Sequence, residues 1–171
     1  MLKHIFFIIL SIIITVIELK KYKYLILNII IALGVGGLSA LVTYNSMSLY
    51  QNINKPDLAP PGFIFPIVWS ILYILMGTSS YLLHRSDHPN KETALIIYYF
   101  QLLINFSWPI TFFNYQNYLL ALVILLVLNI LIILLIRLSY PIKPLSAYLL
   151  LPYLAWTLFA LYLNFWLFIH N

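Results

Sequence analysis

Three sets of aromatic and polar residues recur at helical spacing inside otherwise apolar stretches. Gln101, Asn105, Trp108 and Phe112 follow i, i+4, i+7, i+11, so on a helix they share one face. Phe65, Trp69, Tyr73 and Met76 form a second face, and Pro152, Trp156, Phe159 or Ala160, and Leu163 or Asn164 a third. Pro109 removes the hydrogen bond that the Asn105 carbonyl would accept, and Pro152 does the same for Tyr148, which predicts a kink and an exposed backbone acceptor at each place. An exposed backbone acceptor beside an amide and aromatic rings suits a ligand-facing pocket. The same residues also suit plain helix packing with interhelical hydrogen bonds, and from the residues alone both readings stand.

Other chemistries lack their residues. All four acidic residues, Glu18, Asp57, Asp87 and Glu92, lie between the apolar stretches, so those stretches hold no proton relay and almost no general acid or base. There is no cysteine, hence no disulfide, thiolate ligand or thiol nucleophile. His84 and His88 stand at i, i+4, but Asp87 and Pro89 mark a loop and no third ligand completes a set, so no metal site is expected.

The elements that must carry these residues are membrane helices. The chain is 64% hydrophobic and 8% charged, against roughly half and a quarter in soluble domains. Five stretches reach the ~20 residues a bilayer crossing requires: Tyr24 to Tyr44, Phe63 to Leu83, Ala94 to Phe113, Tyr118 to Leu138 and Leu145 to Ile169. Period-2 alternation is missing, which disfavours a β-barrel. Ile5 to Ile17 is apolar but short, and without a small-residue cleavage site before Lys20 it reads as an anchor or a sixth helix. The predicted organisation is an all-α membrane protein, with an N-terminal apolar segment over residues 1–23 and a five-transmembrane-helix bundle over 24–171. If the first segment spans, Lys20, Lys21, Lys23, Arg85, Lys91, Arg137 and Lys143 lie on one side against Lys3 and Lys55 on the other, so the former side faces the cytoplasm. The net charge of +5 is scattered over loops and forms no nucleic-acid surface. Tyr24, Tyr44, Tyr98, Tyr118 and Trp166 read as interfacial aromatics, Gly36, Gly37 and Ala40 as points of close helix approach, and Asn129 as a packing amide.

Four ordered motifs carry a family resemblance: Lys55-Pro56-Asp57-Leu58-Ala59-Pro60-Pro61-Gly62 with Pro66-Ile67-Val68-Trp69; Tyr73-Ile74-Leu75-Met76-Gly77; Gln101 to Pro109; and Leu151-Pro152-Tyr153-Leu154-Ala155-Trp156 through Asn164. From about Tyr24 to its end the chain resembles the TspO/MBR family, the tryptophan-rich sensory and translocator proteins. The resemblance implies a five-helix bundle, commonly a homodimer in the cell membrane, whose pocket takes porphyrins, sterols and benzodiazepine-type ligands and needs no cofactor. It assigns Tyr50 and Pro61 to a loop lid, Trp69 and Trp156 to facing indole walls, and Tyr73, Gln101, Asn105, Trp108, Phe159 and Ala160 to the pocket around them. It also implies two alternatives to simple binding: light-dependent porphyrin breakdown involving Trp69 and Trp156, and small-molecule or lipid transport. Leu58, Ile124 and Ala40 stand where the family usually has Trp, Asp and Gly, so no polar site is expected on the fourth helix. The end of the chain lacks the Tyr followed by a basic residue proposed for sterol contact.

Overall fold

The computed structural model describes residues 2–46 and 53–171, with side chains from residue 22 onward. Among the described residues the chain is helical, with no strand. Helix α1 runs Leu2–Thr43 and ends in a 3-10 turn, Tyr44–Ser46. It is followed by α2 (Ile64–His84), α3 (Lys91–Pro109, continued by a π turn over Ile110–Asn114), α4 (Tyr118–Ile142), α5 (Pro144–Leu149) and α6 (Leu151–His170). Five segments are long and apolar enough to cross a membrane: Tyr22–Ser46, Ile64–His84, Lys91–Asn114, Tyr118–Ile142 and Pro144–His170. The protein is a multi-pass membrane protein. The predicted N-terminal segment continues into the first span as one helix, α1, of 42 residues.

The breaks follow local chemistry. Between α3 and α4, Gln116 adopts a φ of 50°, the left-handed conformation that turns the chain, and the Asn117 side chain accepts from the Leu120 amide at 2.9 Å to cap α4. Pro152 sits in the first turn of α6, where a missing N–H costs little, so the fifth span is broken at Leu150 rather than merely bent. Pro109 is absorbed differently, since the wider π turn after it takes up the lost hydrogen bond.

The spans close into a ring: α1 packs on α2 and α3, α3 on α4, α4 on α5 and α6, and α5 with α6 returns to α2. Large apolar side chains such as Leu41, Ile96, Leu103 and Ile130 point outward and are more than 60% exposed, a surface that suits lipid and not water. Small residues bring the helices together. Ser79 and Ser146, both fully buried, hold α2 against α5 through an Oγ–Oγ hydrogen bond of 2.7 Å, and each hydroxyl also lies within reach of the other's backbone carbonyl. Ser80 donates to Asn28 Oδ1 at 3.0 Å, tying α2 to α1. A Cβ at Gly77 would lie 2.5 Å from the Ile29 Cα, so the α1–α2 contact exists because that position has no side chain.

Gly77→Ala is therefore expected to force α1 outward and cost about 1–3 kcal/mol, read as a lowered midpoint of thermal unfolding in detergent. Gly34→Ala, where nothing lies within 4 Å of the added carbon, should not lower that midpoint, since alanine is the better helix former.

Candidate ligand-binding cavity

A cavity of about 310 Å³ lies between α1, α2 and α3. Helix α2 contributes Phe65, Trp69 and Tyr73 to its wall, and α3 contributes Asn105, Trp108 and Phe113. Opposite them α1 presents Gly36, Gly37, Ser39, Ala40 and Thr43, a small-residue wall that leaves room where larger side chains would fill it. A Cβ at Gly36 would lie 2.1 Å from Tyr73 Cε2, so this glycine sets how far that ring reaches toward α1.

Two of the polar groups bordering the cavity, the Tyr73 hydroxyl and the Asn105 amide, belong to a buried chain of hydrogen bonds. The Tyr73 hydroxyl donates to Asn105 Oδ1 at 2.6 Å, Asn105 Nδ2 donates to the Tyr153 hydroxyl at 3.0 Å, and Tyr153 donates to Gln101 Oε1 at 2.8 Å. Gln101 Nε2 points at the Met76 sulfur, 4.0 Å away. Every member is at most 6% exposed, and the chain links α2, α3 and α6. Two of the four valences of the Asn105 amide, one lone pair and one N–H, are thus committed inside the protein. The Trp108 indole N–H is engaged as well, donating to Asn164 Oδ1 at 3.1 Å, while Asn164 Nδ2 donates to the Tyr118 carbonyl at 2.8 Å. Trp108 therefore offers the cavity its ring and not its donor. Trp69 is steadied by Tyr73, with ring centroids 5.6 Å apart, and by the edge of Tyr153 at 6.1 Å.

Of the residues expected at a site, Trp69, Tyr73, Asn105 and Trp108 come together around this space. Gln101 lies one helical turn below it, in the hydrogen-bond chain. Trp156 does not face Trp69 across the cavity. It stands behind Phe65, ring centroids 5.9 Å apart, and its buried indole N–H has no partner. Phe159 packs on Trp156 at 5.7 Å, and Ala160 borders a separate void of about 20 Å³ beside Trp108 and Phe112. Pro61 is an exposed residue ahead of α2 whose carbonyl accepts from the Ile64 amide, and Tyr50 lies outside the described residues. The inward stripe of α6 is Tyr153, Thr157, Ala160 and Asn164, one position around from the aromatic stripe read in the sequence. Its spacing of 4, 3 and 4 was a signal for Tyr153 that the more conspicuous Trp156 obscured. Phe113 and the small residues of α1 were missed for another reason: the π turn rotates Phe113 inward, and a glycine hydrogen or an alanine methyl does not advertise a wall. Asn129 is a packing amide, bonded to the Thr157 hydroxyl at 3.0 Å. His88 accepts from the Asn90 amide, and His84 caps the end of α2 beside the Ser80 carbonyl.

Residues 27–169 match the sequence model that describes the TspO/MBR family. The chain is similar to tryptophan-rich protein TspO of Archaeoglobus fulgidus, at 36% identity over 148 residues that cover 86% of this chain and 96% of that one. It is similar to tryptophan-rich protein TspO of Chlorobaculum tepidum at 34% over 149 residues, covering 85% and 94%. To the human translocator protein the identity is 34% over 130 residues, covering 74% and 77%.

Replacing Asn105 with Ala removes two interhelical hydrogen bonds and leaves the Tyr73 hydroxyl without its acceptor. At roughly 1 kcal/mol for each such bond within a membrane protein, a loss of about 2 kcal/mol is expected in the unfolding free energy measured in mixed micelles. Ser70→Ala, which removes only a bond to the Pro66 carbonyl of its own helix, should change it by less than about 0.5 kcal/mol.

Proposed function

The chain belongs to the TspO/MBR family, and we propose that it binds a tetrapyrrole, or another flat apolar molecule with a polar edge, in the cavity between α1, α2 and α3. The observation that carries this reading is the meeting of Trp69, Tyr73, Asn105 and Trp108 around one space walled on its far side by Gly36, Gly37 and Ala40. Stacking a planar ring on indole and phenol faces while a glycine-lined wall lets it approach is where affinity arises. A volume of about 310 Å³ lies at the small end of ligand sites, which favours a macrocycle entering edge-first. Orientation comes from the free valences of the Asn105 amide, whose position is fixed by Tyr73 and Tyr153. Trp69 is the principal stacking wall, and Trp156 acts behind it by holding Phe65 in place.

Titration of the purified protein with protoporphyrin, followed by Soret absorbance and tryptophan quenching, tests this. Trp69→Ala is expected to weaken binding about tenfold, the scale of a lost aromatic wall, while Trp156→Phe should shift it by less than about threefold. Equal affinity in wild type and Trp69→Ala would remove the assigned site.

A further inference from the structure

A second concavity, of about 200 Å³, lies outside the cavity just described, where α2 ends and α3 begins. It is lined by His84, Lys91, Glu92, Leu95, Ile96 and Tyr99. Its floor, Leu95, is 5% exposed, whereas the rim residues Ile96 and Tyr99 are 66% and 42% exposed on the outward side of α3. Phe100 and Leu103 extend that apolar surface along the same helix. One concavity thus brings a cation and a carboxylate together at a helix end and opens onto a surface made for acyl chains. Neither the Lys91 nor the Glu92 side chain has a hydrogen-bond or ion-pair partner among the described residues.

His84 adds a directional group. Its Nδ1 lies 2.9 Å from the Ser80 carbonyl, which only accepts, so Nδ1 carries the proton and Nε2 of the neutral ring is left as an acceptor. The ring is held edge-on to Tyr99, centroids 6.3 Å apart. The group thereby offers one cationic donor, Lys91, and two acceptors, the Glu92 carboxylate and His84 Nε2.

We propose that this concavity binds the headgroup of a phospholipid carrying a primary ammonium, with phosphate on Lys91, ammonium on Glu92 and His84, and acyl chains along Ile96, Phe100 and Leu103. The chemistry separates this headgroup from its competitors. A quaternary ammonium has no N–H to give to the carboxylate or to Nε2. An anionic headgroup without an amine satisfies Lys91 but leaves Glu92 facing like charge.

The test is native mass spectrometry of the detergent-purified full chain with an equimolar mixture of phosphatidylethanolamine, phosphatidylcholine and phosphatidylglycerol of identical acyl chains. The first bound lipid is expected to be phosphatidylethanolamine, favoured about fivefold, the scale of one charge-assisted hydrogen bond at a partly wet site. Glu92→Gln should bring its ratio to phosphatidylcholine toward one, and Lys91→Gln should lower retention of all three. Because the readout is a ratio within one sample, a general loss of stability does not imitate it. Equal retention by the wild type, or an undiminished preference in Glu92→Gln, overturns the proposal. So does displacement of the lipid by equimolar glycerophosphoethanolamine, which would make the site one for a soluble phosphate ester.

Discussion

The interior of this protein depends on one constraint: a polar group buried inside a bilayer is costly unless it finds its partner within the protein, because the surroundings offer none. Tyr73, Asn105, Tyr153 and Gln101 meet that constraint together, each donating to the next across three helices. The chain fixes the relative height and rotation of α2, α3 and α6, since a shift of a single helical turn breaks one of these bonds if α2 moves, two if α6 moves and all three if α3 moves. The Ser79–Ser146 pair and the Trp108–Asn164 bond act in the same way at other levels of the bundle. Apolar packing supplies contact between these helices, but it tolerates sliding far better than a directed hydrogen bond does.

The cavity is a by-product of the same arrangement. Asn105 is held by bonds to Tyr73 and Tyr153, so its amide cannot turn away to satisfy itself on its own helix. Tyr73 and Trp69 stand upright because Gly36 lets the phenol reach toward α1 and Tyr153 braces the indole. The cavity walls are thus held by the protein's own contacts, and for the binding proposed above that preorganisation lowers the ordering cost.

Much of this was legible in the sequence because membrane helices write their boundaries in charge and proline. Four of the five spans fell within three residues of the observed segment at both ends, and the fourth began at Tyr118 as read but ended four residues short of Ile142. The inward faces of α2 and α3 followed from amide and aromatic spacing, with Gln101, Asn105, Trp108 and Phe112 all buried. What spacing could not give was rotation beyond a break. Pro152 begins a new helix at Leu151, which turned the inward stripe of α6 toward Tyr153 and Thr157 and left Trp156 on its flank. The α1 wall was hidden for the opposite reason, since small residues read as contact points when they border a space.

The π turn after Pro109 has a mechanical consequence. The turn sets its hydrogen bonds five residues apart, the Tyr115 amide donating to the Ile110 carbonyl at 3.2 Å, so the residues in it leave the register of the helix before it. Phe113 lines the cavity from within that turn, while Asn114 at its end bonds to the Val42 carbonyl of α1 at 3.1 Å. Phe113 and the end of α1 are therefore fastened to each other across the mouth of the void, while α4 starts from its own cap at Asn117 and takes no part in that fastening.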